Sequence, residues 1–209
     1  VIADHIVTSD GLEFNVNEYD QHFREFHAPQ STALHSTTLD GRPILLGPLS
    51  RINLNFDRLP KHIQEMANAT GVQFPSNNMF HSIIARAIDG YWALERSLEL
   101  CKAYEYTETP SAPEKVCAGD AWFAVEAPRG IQIDHFTFDA EGKATKIRIS
   151  APTSQNLPCM EADLRVALEK FGLDRPDHEI QLHAEMVIRN YDPCISCSAH
   201  FLTLNVTRK

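Results

Sequence analysis

The sequence predicts an α+β fold that is rich in helix, with a β-hairpin region around residues 121–150. Between residues 77 and 105, apolar side chains recur at spacings of three and four, which is the pattern of one helix face. The hairpin region contains runs of strand-forming residues separated by a turn sequence. No internal repeat or linker-like stretch divides the 209 residues. We therefore predict a single domain over residues 1–209.

The amino-terminal part of the chain predicts short elements only. Residues 1–36 look irregular, with two strand-like pieces at residues 2–7 and 12–16. Residues 59–70 predict a short helix, because Gly71 follows the last apolar position. Gly90 lies inside the long helix that comes next. A glycine there costs about 1 kcal/mol unless another backbone packs close to it.

The remaining elements follow from turns and caps. Three strands are predicted, at residues 121–126, 131–138 and 144–150. The sequence Asp139-Ala140-Glu141-Gly142 predicts the turn between the last two. Residues 161–171 predict a helix that Gly172 ends. Residues 177–190 predict another helix, with Asp177 as its N-cap. Apolar and polar residues alternate over 201–206, which predicts a final strand.

Composition excludes several classes of protein. The formal net charge of −9 argues against a partner that is a nucleic acid. No apolar run reaches the roughly 18 residues of a membrane span, and no signal peptide is visible. The five cysteines are an odd number, and they do not form the dense set of a secreted disulfide framework. We therefore expect reduced thiols in a cytoplasmic protein without a membrane span.

The strongest chemical feature is a pair of cysteines, Cys194 and Cys197, with His200 three residues further on. Two thiolates at this spacing can bind one soft or borderline metal from a single turn. On spacing alone, three alternatives remain open. The first is a structural zinc site, bound by both cysteines, by His200 and by one distant ligand. The second is a thioredoxin-like redox pair, and the third is a ferredoxin-type cluster.

Four longer segments resemble one known family. Residues 191–200, which read YDPCISCSAH, resemble the carboxy-terminal signature of nickel–iron hydrogenase large subunits. Residues 126–130 (EAPRG) and 151–156 (APTSQN) resemble two further signatures of that family, and residues 47–53 (GPLSRIN) resemble a segment of its cytoplasmic, cofactor-linked branch. The segments stand in family order. The chain is thus similar to the carboxy-terminal half of such a subunit, whose fold it is expected to share.

The resemblance implies a role for each matching residue at a nickel–iron centre. Cys197 matches the cysteine that bridges the two metals, and Cys194 matches one that binds nickel alone and accepts a proton. The iron carries carbon monoxide and cyanide, and Thr153 matches the residue that donates a hydrogen bond to a cyanide. His200 matches a ligand of a nearby magnesium ion.

Two charged residues complete the implied site. Arg129 matches the arginine whose guanidinium lies over the metals, and Pro128 adjoins it. Asp192 matches the carboxylate that pairs with this arginine. A buried pair of this kind is reasonable, because either charge alone is costly to remove from water.

The implied activity is the reversible oxidation of dihydrogen to protons and electrons. The electrons would pass to iron–sulfur clusters in a small partner subunit, and then to an electron-acceptor module. The family also carries an amino-terminal cysteine pair, which this chain lacks. Activity is therefore expected only together with the amino-terminal half, whether that half is a separate chain or a missing segment. The alternative is a non-catalytic assembly or scaffold homologue, or a zinc-stabilised module that retains one cysteine pair.

Overall fold

The computed structural model describes residues 4–111, 113–196 and 203–207. The strands are β1 (His5–Val7), β2 (Glu13–Asn15), β3 (Phe23–His27), β4 (Leu34–Thr38), β5 (Gly119–Ala127), β6 (Gly130–Phe138) and β7 (Ala144–Ser150). The helices are α1 (Tyr19–His22), α2 (Pro48–Asn55), α3 (Lys61–Ala69), α4 (Ser82–Lys102), α5 (Pro152–Phe171) and α6 (Asp177–Arg189). The strands form three antiparallel sheets, β1–β2, β3–β4 and β5–β6–β7. The α+β prediction and its hairpin region are confirmed.

The helix α5 begins at Pro152, nine residues before the predicted start at residue 161. Its first turns bury polar side chains, among them Thr153, Gln155 and Asn156, so they show no apolar periodicity. Pro158 also lies inside the helix, where a proline normally ends one. Both features hid the first half of α5 from the sequence.

Two predictions near the carboxy terminus were wrong. Pro176, not Asp177, is the N-cap of α6, and Asp177 is the first helical residue. Its carboxylate still lies in the first turn, where the helix dipole favours it. The strand predicted over 201–206 is absent from its described part, since residues 203–207 have no regular structure. Alternation makes a strand only where a neighbouring strand supplies hydrogen bonds, and none of the described strands pairs with these residues.

Two apolar clusters form the core. The first joins β1, β2, α1 and β3 to the inner face of β5 and β6, and contains Ile6, Phe14, Val16, Tyr19, Phe23, Ala124 and Ile133. The second joins α2, α3 and α4 through Leu49, Ile52, Leu59, Ile63, Ala67, Ala85 and Ile88. Ile44 packs against the first cluster and Leu45 against the second. The segment that leads to Gly47 is therefore held between both clusters, beside the tip of the β5–β6 hairpin.

One face of α4 remains apolar and exposed. We call the following set of side chains the α4 stripe: Phe80, which lies in the turn just before α4, and Ile83, Tyr91, Leu94 and Leu98 of the helix itself. The opposite face buries Ala85 and Ile88 against α2 and α3. Gly90 lies between the stripe residues, and no atom of another described element comes within 4 Å of a Cβ built on it. None of the helices in the described part of the chain combines the length and apolar character that a bilayer crossing requires.

Candidate functional site

The site begins at the tip of the β5–β6 hairpin. Ala127 pairs with Gly130, so Pro128 and Arg129 form the two-residue loop. Gly130 has a φ of +141°, and a Cβ there would lie 2.6 Å from Leu46 Cβ. A Cβ on Gly47 would lie 2.9 Å from the carbonyl oxygen of Arg129. The two glycines therefore allow the backbone at residues 46–47 to cross closely over the backbone at residues 129–130. A larger residue at either position would force the two backbones apart.

The structure brings Arg129 and Asp192 together. Arg129 Nε donates to the carbonyl oxygen of Asp192 at 2.5 Å and lies 3.2 Å from its Oδ2. Arg129 Nη2 donates to Asp192 Oδ1 at 3.4 Å. A second cation stands behind the pair, since Arg86 Nε of α4 is 3.9 Å from Asp192 Oδ2. One carboxylate thus faces two guanidinium groups.

The corner after α6 gives Asp192 its direction. Asp192 has a φ of +49°, in the left-handed region that aspartate tolerates better than most residues. The carbonyl of Asn190 accepts from Ser82 Oγ at 2.6 Å and from Arg86 Nη2 at 3.2 Å, which ties the corner to α4. Tyr191 OH donates to Asp163 Oδ2 of α5 at 2.6 Å. Burial, together with the hydrogen bonds to Asp163 and Cys159, raises the pKa of Tyr191 well above its usual range.

Cys194 follows this corner and meets the start of α5. Its backbone N–H donates to Thr153 Oγ1 at 3.4 Å, and its Sγ lies 3.3 Å from Ser196 Oγ. Thr153 is buried, whereas Cys194 is half-buried and Pro128 is exposed. Cys197 and His200, the other two predicted ligands, lie outside the described residues. One corner thus holds a thiol, a buried hydroxyl and an arginine–carboxylate pair.

A sequence comparison decides the family. The sequence model described as nickel-dependent hydrogenase matches residues 15–200, which is most of the chain. This chain belongs to the nickel-dependent hydrogenase family. The resemblance drawn from the four sequence segments is thereby confirmed.

Relatives within the family are about twice as long. The sulfhydrogenase 1 subunit alpha of Pyrococcus furiosus is 33% identical over 206 residues, which cover 98% of this chain and 47% of that protein. The NAD-reducing hydrogenase HoxS subunit beta of Cupriavidus necator is 30% identical over 203 residues, which cover 91% of this chain and 41% of that protein. The chain therefore spans about half the length of the curated relatives it matches.

A solved structure has the same fold over the same extent. The crystal structure of an NAD+-reducing NiFe hydrogenase in the H2-reduced state matches with a TM-score of 0.71 at 22% identity. The match covers 96% of this chain and 48% of that chain. The predicted fold of a hydrogenase large subunit is thus confirmed.

The residues of this corner fit one side of a nickel–iron centre. A thiolate is the donor that nickel and iron favour, and Cys194 supplies one. No group of three metal-binding side chains occurs among residues 4–111, 113–196 and 203–207. Arg86 Nε is buried beside Asp192 and has no hydrogen-bond partner in the same part of the chain. Other ligands must complete the centre, because a thiolate pair supplies only part of a coordination shell.

The sequence did not single out the residue that supports Arg129 from α5. Asn156 is buried, its Nδ2 donates to the carbonyl oxygen of Arg129 at 3.0 Å, and its Oδ1 accepts from Leu46 N at 2.8 Å. One amide side chain thus links the two backbones that cross at Gly47 and Gly130. The only sequence signal was the polar run after Pro152, which resembles a family segment.

Proposed function

We propose that this chain is the carboxy-terminal half of the catalytic subunit of a nickel–iron hydrogenase, folded as a single domain, and that the complete subunit oxidises dihydrogen reversibly. One observation carries the proposal. In a member of the nickel-dependent hydrogenase family, Arg129 and Asp192 pair beside Cys194 and Thr153. A nickel–iron centre bound there would supply the cleavage of dihydrogen.

Each residue then has a part in holding the centre. Cys194 would bind nickel, Cys197 would bridge nickel and iron, and His200 would bind magnesium. Thr153 Oγ1 already accepts a hydrogen bond from Cys194 N, so its own proton remains available to donate. A cyanide ligand on iron, accompanied by carbon monoxide, would receive that bond.

Arg129 would orient and stabilise charge at this corner. Asp192 holds its Nε and Nη2, so the guanidinium plane is set before any metal binds. Arg86 adds a second positive charge near Asp192. Cys194 matches the nickel-bound cysteine that accepts a proton in the family, so its Sγ is the atom that we assign to take the proton.

The α4 stripe supports the proposal that a second half packs against this chain. An apolar face of this size on a long helix indicates a contact with another protein surface. Gly90 on that face would let the backbone of a partner helix approach closely. We propose that the amino-terminal half covers the stripe and supplies the second cysteine pair. We further propose an iron–sulfur small subunit, an electron-acceptor module and a cytoplasmic location for the complex.

The test is to purify the native complex that contains this chain. Its metals, the intact mass of every chain and its hydrogen-dependent dye reduction are then measured. We expect about one nickel per copy of this chain, iron in excess of nickel because the small subunit's clusters also contain iron, a companion segment with a second cysteine pair, and dye reduction. Zinc alone, with no dye reduction, would contradict the proposal and favour a scaffold homologue or a zinc-stabilised module.

A further inference from the structure

We propose that Arg51 of α2 is a positioning residue that holds the loop carrying Arg129; the inference rests on the proposed function of Arg129. The side chain of Arg51 is 17% exposed and reaches the backbone of the hairpin tip. Its charge and its position in the sequence do not indicate a role at the metal centre. Its hydrogen bonds connect it to the loop that carries Arg129.

The two terminal nitrogens of Arg51 each make two kinds of bond. Nη1 donates to Glu126 Oε2 at 2.8 Å and to the carbonyl oxygen of Ala127 at 2.9 Å. Nη2 donates to Asp89 Oδ2 at 2.6 Å and to the carbonyl oxygen of Pro128 at 3.0 Å. Arg51 therefore binds the carbonyls of the two residues that precede Arg129.

These bonds orient three successive peptide groups. Arg51 holds the peptides 127–128 and 128–129 through their carbonyl oxygens, and Asn156 holds the peptide 129–130 through the carbonyl oxygen of Arg129. A hairpin tip with an exposed proline is normally among the more mobile parts of a sheet. Here the backbone on both sides of Arg129 is attached to helices. The direction of its guanidinium is thus set partly by α2.

The ion pairs explain why a cation can remain at this position. Burial by itself lowers the pKa of Arg51, but the hydrogen bonds and charges of Asp89 and Glu126 outweigh it and leave the pKa raised. Arg51 therefore stays protonated over the whole range of working pH. A lysine could keep the charge, but its single nitrogen cannot reproduce a planar fork that bonds in two directions.

The test uses Arg51→Gln and Arg51→Lys in the complete native complex. Hydrogen–deuterium exchange, read by mass spectrometry, reports on peptides that cover residues 126–131. The matched control is Arg148→Gln. Arg148 is 20% exposed and also pairs with two carboxylates, Asp20 and Glu25, and none of its hydrogen bonds or ion pairs with described residues reaches the hairpin tip.

We expect both Arg51 variants to speed exchange over residues 126–131 about tenfold, with α3 and the buried face of α4 unchanged. Arg148→Gln should leave this segment as in the wild type. Nickel content should be retained while turnover falls. In an Arg129→Ala background, Arg51→Gln should cause no further loss of turnover, because both changes act through the same side chain.

Two results would overturn the inference: wild-type exchange over residues 126–131 in Arg51→Lys, or losses that multiply in the double variant. If Arg51→Gln does not assemble, Arg51→Lys, which keeps the charge, decides by the same exchange measurement. The exchange result does not depend on hydrogen oxidation. A wild-type complex without hydrogen oxidation would contradict the proposed function. Exchange over residues 126–131 that is as slow in the variants as in the wild type would instead contradict the role of Arg51.

Discussion

Arg129 is held at both its side chain and its backbone. Asp192 binds the guanidinium, and the side-chain amide of Asn156 donates a hydrogen bond to the carbonyl oxygen of Arg129. Gly130, the residue after Arg129, has no side chain and therefore fits against Leu46. Such support is what a functional arginine needs, since a displacement of an ångström can remove much of its effect. At the scale of the residue, the position of Arg129 depends on Asp192 and Asn156, which come from other parts of the chain.

The Arg129→Lys variant tests the geometry rather than the charge. Lysine keeps the positive charge but cannot bond Asp192 with both Nε and Nη2, as the planar fork does. We expect metal content to stay unchanged and turnover to fall roughly 100-fold, the order found when one oriented donor is lost. Metal analysis and hydrogen-dependent dye reduction measure the two quantities. Unchanged turnover would remove Arg129 from the mechanism.

At the scale of the element, the β5–β6 hairpin, α2, α5 and the corner after α6 meet at one point. Each element brings a different group, and the crossing of the backbones at Gly47 and Gly130 sets how closely they approach. The strands of this hairpin were predicted from their runs of strand-forming residues. The first half of α5 was not, because its buried side chains are polar and bind backbone groups of other elements.

The Gly130→Ala variant should destabilise this crossing. Its φ of +141° disfavours any side chain, and the new Cβ would lie 2.6 Å from Leu46 Cβ. Gly11→Ala is the matched control, since Gly11 has a φ of +85° but nothing within 4 Å of its added Cβ. We expect a loss of about 1–2 kcal/mol in the control from backbone strain. Gly130→Ala should lose more, by roughly 1–3 kcal/mol for overpacking.

Urea unfolding of the native complex, followed by the signal of this chain, measures both variants. Equal midpoints for Gly130→Ala and Gly11→Ala would mean that the crossing relaxes without cost. The close packing at the hairpin tip would then have no bearing on stability.

At the scale of the whole molecule, α4 has two faces with different partners. One face is buried on α2 and α3, and the α4 stripe is exposed. The sequence predicted the helix, and it predicted that Gly90 costs about 1 kcal/mol unless another backbone packs close to it. The structure shows that no described element of this chain supplies that backbone. The relatives are about twice as long as this chain, which leaves room for a segment that does.

The Gly90→Leu variant should affect the chain alone and the assembled complex in opposite directions. In the chain alone, replacing a glycine inside a helix should raise the free energy of unfolding by about 0.5–1 kcal/mol. In the complex, a leucine on this face would block the close approach of a partner helix and should reduce assembly with the amino-terminal half. Gly90→Ala is the control, because it gains the same helix propensity but adds only one carbon. Equal yields of complex for both variants in co-purification would contradict the role of this face.

The sequence by itself determined the family and most of the helices and strands, and it named the residues of the candidate site. These follow from local patterns: apolar spacing, turn residues, and short motifs in a set order. The resemblance implied that Asp192 pairs with Arg129, and the structure shows this contact across 63 positions of the chain. Only the tertiary structure decided that Asn156 and Arg51 hold the hairpin tip and that α4 keeps an exposed face. Such contacts join residues far apart in the chain, so no local pattern of side chains encodes them.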